Sequence, residues 1–363
     1  MAKTAAAMVQ AGEREVRVSS PDRVIYEATD RTPEVTKLMV AQFFVAVEDG
    51  LLRALRDRPT ALERWPDGYR EGFRLSTGYG DDGEGFYQKR VPKGAPDYLE
   101  PVGITFPSGR TAEEICVTEI AVPVWCAQMG TLTFHPWPVR RSDVDRPDEL
   151  RIDLDPQPGT GFGDAVRVAG VADELLRELG LVGFPKTSGN RGVHVYVRIE
   201  PRWSFEDVRH AAIAFGRELA RRDDQVTTAW WKEERGERIF VDFNQNNRDR
   251  TIASAYSLRP KPGAPVSTPM TWAELATVTD PRDFNLFTVT ERVADGDPWS
   301  GIDDTSYSLQ PLLDLWQQQV DAGEGELNFP PDYPKMAGEP PRVQPSKKVA
   351  EHWDEQGNRV EGT

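Results

Sequence analysis

The stretch from Leu150 to Ile199, LRIDLDPQPGTGFGDAVRVAGVADELLRELGLVGFPKTSGNRGVHVYVRI, constrains the fold more than any other part of the chain. It sets an apolar run, a helix and a second apolar run in that order. In the first run Asp153 and Asp155 alternate with Ile152 and Leu154. Side chains on a strand alternate faces, so the two acids share one face, roughly 6–7 Å apart, and the apolar pair faces a core. Pro156 and Gly159 end the strand. The helix is predicted to take Asp164 as N-cap, to bury Val168, Val171, Ala172, Leu175, Leu176 and Leu179, and to stop at Gly180. The second run puts Val193, Val195 and Val197 on one face and His194 and Tyr196 on the other.

Between helix and second strand lies Thr187-Ser188-Gly189-Asn190-Arg191-Gly192. Its backbone N–H groups, the Ser188 hydroxyl and the Arg191 guanidinium make an anion cradle suited to phosphate. Paired acids beside such a cradle fit metal-assisted chemistry on a phosphate ester, the acids holding divalent metals that neutralise phosphate oxygens. Each part alone has a plainer reading. Acids alternating with apolar residues are ordinary on a half-buried strand, and an SGxxGxH segment is also a hairpin turn. A third element narrows the choice. RIFVDF, Arg238 to Phe243, reads as a strand with Asp242 facing opposite to Val241 and Phe243, the third carboxylate of a two-metal site.

DLDP, SGNRGVHVY and VDFNQNNRDRTIASAYSLR, with PDRVIY, TKLMVAQFF, RPTALERWPDG, GFYQK and TFHPW in the same order, resemble the archaeo-eukaryotic primase superfamily. More closely they resemble the polymerase domain of bacterial ligase D, used in non-homologous end joining, over about residues 16 to 300. The resemblance implies an α+β fold with mixed sheets, flanked by helices, meeting at a cleft that holds the three acids. It implies template-directed nucleotidyl transfer in gap filling or break repair, with ribonucleotide use. Asp153, Asp155 and Asp242 would hold two Mn²⁺ or Mg²⁺ ions, while Arg64, Ser188, Gly189, Arg191, His194, Gln245 and Arg259 would bind the nucleotide. Arg23, Lys37, Phe86, Lys89, His135 and Arg235 would contact DNA, with Arg23 and Lys37 on a 5′-phosphate. Several of these also have bland readings: Arg23, Lys37 and Arg235 as solvated charges, His135 as structural, and one of Phe86 and Tyr87 as core. The chain departs from the family pattern in the residues RTPEV before Thr36-Lys37, which bears on that phosphate pocket. Two other functions use similar parts: a degenerate module that binds DNA ends, and a metal-dependent phosphoesterase or nuclease.

Composition bounds the partners. The 363 residues carry a net charge of −15, unpromising for nucleic acid, but its distribution is uneven. Lys186 to Arg259 holds 14 basic and 11 acidic residues, whereas Asp280 to Thr363 holds 7 and 17. A modest basic groove can coexist with an acidic end. No run of ~18 apolar residues reads as a membrane span, and MAKTAAAMVQAGERE lacks a secretory h-region. Cys116 and Cys126 read as buried thiols of a reducing, cytoplasmic, monomeric protein.

Residues 1–15 read as a flexible tail and 16–300 as the catalytic domain. Lys37 to Leu55 reads as one helix, Ser204 to Asp207 as a capping box, and Lys232 to Glu237 as a charged hairpin tip. Residues 301–327 read as a packing helix, with Leu309, Leu312, Leu313, Trp316 and Val320 in one stripe, and 328–363 as an extended tail. The Lys-x-Asp-Gly signature of a ligase is absent, so a separate DNA ligase and an end-binding protein are expected beside DNA and nucleoside triphosphates.

Overall fold

Period-2 alternation builds a hairpin at the start of the chain. A computed structural model describes residues 5–76, 83–330, 333, 335–336 and 338–340. Strands β1 (Ala7–Ala11) and β2 (Arg14–Val18) form a hairpin, then come β3 (Val24–Tyr26) and β4 (Val35–Thr36). The expected flexible tail is therefore corrected over residues 7–15. Val9, Ala11, Val16 and Val18 alternate into the core, and Gly12 turns the chain at φ +61°. The single helix expected from Lys37 to Leu55 is two, α1 (Lys37–Ala46) and α2 (Glu48–Leu55), broken at Val47.

The first large sheet contains β5 (Pro59–Arg64), β6 (Leu75–Ser76), β7 (Gly85–Gln88), β8 (Glu100–Thr105), β9 (Thr111–Cys116) and, after α3 (Ala121–Gln128), β10 (Thr131–Pro136). Its order is β6-β7-β5-β9-β8, with β10 also pairing β5. The second sheet contains β11 (Glu149–Pro156), β12 (Phe184–Thr187), β13 (Val193–Arg198), β14 (Val226–Thr227) and β15 (Ile239–Val241), in the order β12-β13-β11-β15-β14. Helices α4 (Phe162–Glu178) and α5 (Phe205–Arg222) precede β12 and β14, and the short α6 (Lys232–Arg235) precedes β15. After β15 come α7 (Trp272–Leu275), α8 (Leu286–Arg292) and α9 (Gln310–Asp321). The result is the mixed α and β architecture expected.

The second sheet has one apolar and one polar face. Leu150, Ile152, Leu154, Val193, Val195 and Val197 share a core with Val168, Ala172 and Leu176 of α4 and with Val208, Ala212 and Phe215 of α5. Asp164 sits at the third position of α4, not at its N-cap, because its carboxylate accepts the Gly161 N–H at 2.8 Å. Ser204 does cap α5, with Asp207 completing the box. The polar face begins with buried charges. Arg58, just before β5, donates to Asp148 at 2.6 and 2.9 Å and reaches Glu149 at 2.8 Å, and Arg151 and Arg198 also bind Glu149. Burial would raise the Glu149 carboxyl, but Arg58, Arg151 and Arg198 hold it below its usual range. The network ties the first sheet to the second at one end of the cleft, and breaking such a buried pair costs about 3–5 kcal/mol.

The expected tail beyond residue 328 is corrected at its start, since Asn328 and Phe329 are buried. Residues 341–363 of that tail, and residues 1–4 of the other, lie outside the described residues.

Candidate active site

Strand register assembles the site. Lys186 pairs with His194, His194 with Asp153, and the Asp242 N–H donates to the Asp153 carbonyl at 3.1 Å. One row therefore crosses β12, β13 and β11 at Lys186, His194 and Asp153 and reaches Asp242 just past the end of β15, where the expected strand gives way to a 3₁₀ turn. Asp155 lies two residues beyond Asp153 on the same face of β11 and is exposed. The three acids expected from sequence thus converge at one end of the polar face.

Burial and mutual repulsion dominate their electrostatics. Burial first, then the charges of Asp242 and Asp155, push the Asp153 carboxyl well above its usual range, against Lys186 and Arg259. Burial also raises Asp242, offset in part by Gln245 and Arg235. Gln245 Nε2 donates to Asp242 Oδ2 at 2.9 Å, and the Asn244 N–H to Oδ1 at 3.1 Å, so Asp242 is oriented from behind. Like-charged oxygen donors held together in this way fit hard divalent cations. Among the described residues, the group whose ligand atoms all lie within 4.8 Å is a different one, Glu206, His210 and Glu326. Its Glu326 is already bound by Arg209 at 2.8 Å.

His194 is fixed by a buried lysine. Lys186 Nζ lies 2.8 Å from His194 Nδ1 and 2.5 Å from Ser267 Oγ. With Nδ1 accepting from Lys186, the network assigns the imidazole proton to Nε2, which faces Asp153 Oδ1 at 3.4 Å. Burial, then Lys186 and Arg259, holds His194 well below its usual range, so the ring is neutral. Sequence reading left out Lys186. The signal was the β12–β13 hairpin, whose register sets Lys186 against His194.

The Ser188 loop closes on itself at the Asp155 end of the sheet. Ser188 Oγ accepts the N–H groups of Gly192 at 3.0 Å and Asn190 at 3.2 Å, which leaves its hydroxyl hydrogen to donate outward. Gly189 has φ +70°, and a Cβ there would lie 2.5 Å from Cγ of Arg259. The loop and Arg259 are therefore in close contact. Arg191 is exposed and donates to the Pro156 carbonyl at 3.3 Å. Arg259 is placed by a segment that bridges the two sheets. The Ser254 N–H donates to the Phe134 carbonyl of β10 and the Thr133 hydroxyl of β10 to the Leu258 carbonyl, while the Thr187 N–H of β12 donates to the Thr268 carbonyl. Tyr256, held at φ +61°, anchors the turn through its hydroxyl to Asp297 at 2.8 Å.

The opposing sheet presents Glu63, Tyr87 and His135. Glu63 pairs with Tyr87, and His135 with Ala61. Burial holds His135 below its usual range, so a neutral ring donates Nε2–H to Glu63 at 3.0 Å. Tyr87 is 44% exposed and meets His135 edge-on. It is a better placed stacking surface than Phe86, which also packs under Arg64 at 5.1 Å. Arg64 itself points to the other face of β5, donating to the Met129 carbonyl at 2.8 and 3.0 Å. It is not brought to the acids. A cavity of about 580 Å³ runs between this sheet and the segment after Asp242, lined by Phe86, Tyr87, Lys89, Gln245, Asp249 and Arg250. Arg250 was missed, one of several arginines in a polar run. Lys89 is paired with Asp249 at 2.6 Å.

Of three DNA contacts expected from sequence, one sits differently and two are brought together. Arg235 is buried, not at a hairpin tip. It donates to the carbonyls of Ala229 and Trp230, reaches Gln157 and lies 3.5 Å over the Phe240 ring, behind Asp155 and Asp242. Arg23 and Lys37 are brought together at the start of α1, where the Lys37 N–H donates to the Arg23 carbonyl at 2.8 Å. Lys37 Nζ donates to Ser19 O at 2.7 Å, and burial, then Arg23, lowers its pKa. Of RTPEV, Val35 is buried in β4, which pairs with β3 next to Arg23, and Arg31 pairs with Asp280 and Asp283.

The family model for the "LigD, primase-polymerase domain" matches residues 36–299. The chain belongs to this family. It is 32% identical over 303 residues to the multifunctional non-homologous end joining protein LigD of Pseudomonas aeruginosa, covering 82% of this chain and 34% of that one. The bifunctional LigD of Bacillus subtilis is 28% identical over 280 residues, 77% of this chain and 42% of the relative. The chain thus spans well under half the length of these LigD relatives. The polymerase domain of Mycobacterium tuberculosis ligase D, solved in complex with DNA, superimposes with a TM-score of 0.71 at 27% identity, covering 81% of this chain and all of that one. Among the described residues, no helix is long and apolar enough to cross a membrane.

Proposed function

We propose that this protein is a template-directed nucleotidyltransferase that extends a primer at a DNA gap or broken end. The observation that carries the reading is the convergence of Asp153, Asp155 and Asp242 on one face, with the Ser188 loop and Arg259 at its edge. Asp153, Asp155 and Asp242 would hold Mn²⁺ or Mg²⁺, two ions by the family pattern, which supply charge neutralisation at the triphosphate and acidify the primer 3′-hydroxyl.

The chain's own residues do the rest. The Ser188 hydroxyl, Arg191 and Arg259 bind the triphosphate by charge-assisted hydrogen bonds. His194, kept neutral and singly protonated by Lys186, offers Nε2–H beside Asp153 and orients that acid or a phosphate oxygen. Gln245 and the Asn244 N–H hold Asp242 in place. Tyr87 and Phe86 offer aromatic faces to template bases, and Arg23 with Lys37 takes the 5′-phosphate across the gap. Ribonucleotides are used at least as well as deoxyribonucleotides. Sealing falls to a ligase, and delivery to the break to an end-binding protein.

The test is single-nucleotide insertion on gapped DNA with Mn²⁺, with each of the four bases placed in turn opposite the gap. The expected result is insertion that follows the template base and releases pyrophosphate. DNA binding without insertion would instead indicate an end-binding module, and shortening of the primer a nuclease.

A further inference from the structure

The family match ends at residue 299, but the chain continues through α9 and returns along α5. Gln319 of α9 donates to the Ala214 carbonyl at 3.1 Å, and His210 stacks on Trp316 at 4.3 Å with planes 8° apart. The returning segment, Glu324 to Phe329, is then fastened at successive points. Arg217 donates to the Gly325 carbonyl at 2.5 Å, and His210 and Arg209 bind Glu326 at 2.9 and 2.8 Å.

Arg209 connects this strap to the catalytic turn. Its side chain is fully buried, with the Phe329 ring at 3.7 Å and the Phe243 ring at 5.3 Å. Nη2 donates to the carbonyls of Leu327 at 2.8 Å and Asn328 at 3.2 Å, and Nε to Asn244 Oδ1 at 2.9 Å. Asn244 Nδ2 in turn donates to the Asn328 carbonyl at 2.9 Å. Asn244 is also the residue whose N–H binds Asp242 Oδ1. The strap therefore stands two hydrogen bonds from a carboxylate of the site.

We propose that the strap Glu324–Phe329 is a positioning element for Asp242, acting through Arg209 and Asn244, and that it sets how tightly the site holds its divalent cation. The inference rests on the assignment of Asp242 as a metal ligand. Residues that orient metal-binding side chains typically contribute 10–100-fold to affinity. Within the short 3₁₀ turn Phe243–Asn246, Gln245 and the Asn244 N–H hold Asp242, and the strap in turn holds the Asn244 side chain.

The test measures Mn²⁺ binding directly, by the electron paramagnetic resonance signal of free Mn²⁺, in the full chain. Two variants leave all three acids in place: Phe329→Ala, which removes the ring against Arg209, and Asn244→Ala, which keeps the N–H on Asp242 but removes the side-chain link to Arg209 and Asn328. Leu313→Ala, on α9 beside the core, serves as a control for general loosening. Phe329→Ala and Asn244→Ala should each weaken Mn²⁺ binding about tenfold and lower kcat, with the nucleotide KM changed less than twofold. Leu313→Ala should lower Tm and leave Mn²⁺ binding within twofold. Unchanged binding in both strap variants, or equal weakening in Leu313→Ala, would overturn the proposal. Asp242→Asn separates the two levels: if it binds Mn²⁺ as wild type does, the assignment of the acid fails, not the strap alone.

Discussion

Gly189→Ala is the smallest change with a calculable effect on the proposed nucleotide site. At φ +70° an alanine costs about 1–2 kcal/mol, because its Cβ crowds its own backbone. The larger effect falls on Arg259. The new Cβ would lie 2.5 Å from Arg259 Cγ and 3.0 Å from the Ser267 N, where ordinary carbon contacts are about 3.5–4.0 Å. Cγ must therefore retreat by about 1 Å or more, and the guanidinium at the end of the side chain moves further. Loss of one charge-assisted bond to the triphosphate, worth about 1.5–3 kcal/mol, lowers kcat/KM for the nucleotide about ten- to hundredfold. The assay is single-nucleotide insertion across a nucleotide titration, with DNA affinity measured separately and expected to hold within twofold. A double-mutant cycle gives the decisive comparison. In an Arg259→Ala background, which has no Cγ to meet, Gly189→Ala should lower kcat/KM almost no further. An unchanged kcat/KM in Gly189→Ala, or effects that simply add, would refute the contact as the cause.

Three further outcomes follow from other parts of the molecule. Burial pushes the Glu114 carboxyl up to about 7, with one oxygen on Trp137 Nε1 at 3.0 Å and the other unpaired, so its proton is bound more tightly when folded. That stabilisation is complete below the unfolded pKa near 4.5 and is lost as pH rises through 7; Glu114→Gln should remove about 3 kcal/mol of this pH dependence in denaturant titrations at pH 5 and 8, and parallel curves would count against it. Arg58→Met leaves Asp148 and Glu149 buried without their fully buried partner and should destabilise by about 3–5 kcal/mol, a loss that a change below 1 kcal/mol by urea unfolding would contradict. A 5′-phosphate should tighten binding to gapped DNA about tenfold or more, and Lys37→Ala should abolish most of that difference; equal wild-type affinity for both DNAs would remove Arg23 and Lys37 from the role.

What the sequence disclosed depends on the range of the forces involved. Asp153, Asp155 and His194 were legible because strand alternation is local and needs no partner. Asp242 was legible only as part of the same apolar run, because the strand expected over Arg238 to Phe243 ends at Val241 and Asp242 caps the 3₁₀ turn that follows; the Ser188 loop was legible because glycine spacing marks a turn. Lys186 was not, since its role exists only in the register between β12 and β13. The turn of Arg64 toward Met129 and the burial of Arg235 against Ala229 and Trp230 were not legible, because an arginine's reach is decided by the carbonyls it finds in three dimensions. The N-terminal hairpin was overlooked although REVRV alternates cleanly, because charged residues on its outer face hid the buried valines. The strap was illegible for a plainer reason: much of its attachment uses backbone carbonyls of Gly325, Leu327 and Asn328, which every residue carries.

The central claim is that Asp153, Asp155 and Asp242 together enable nucleotidyl transfer. The most direct measurement is single-turnover insertion on gapped DNA with Mn²⁺, comparing wild type with Asp155→Ala, whose exposed side chain carries little of the fold. The account predicts templated insertion by wild type, and at least a thousandfold slower insertion by Asp155→Ala (about 4 kcal/mol in the barrier) with Tm and DNA binding retained. Insertion by Asp155→Ala at the wild-type rate, with the same Mn²⁺ dependence, would contradict it.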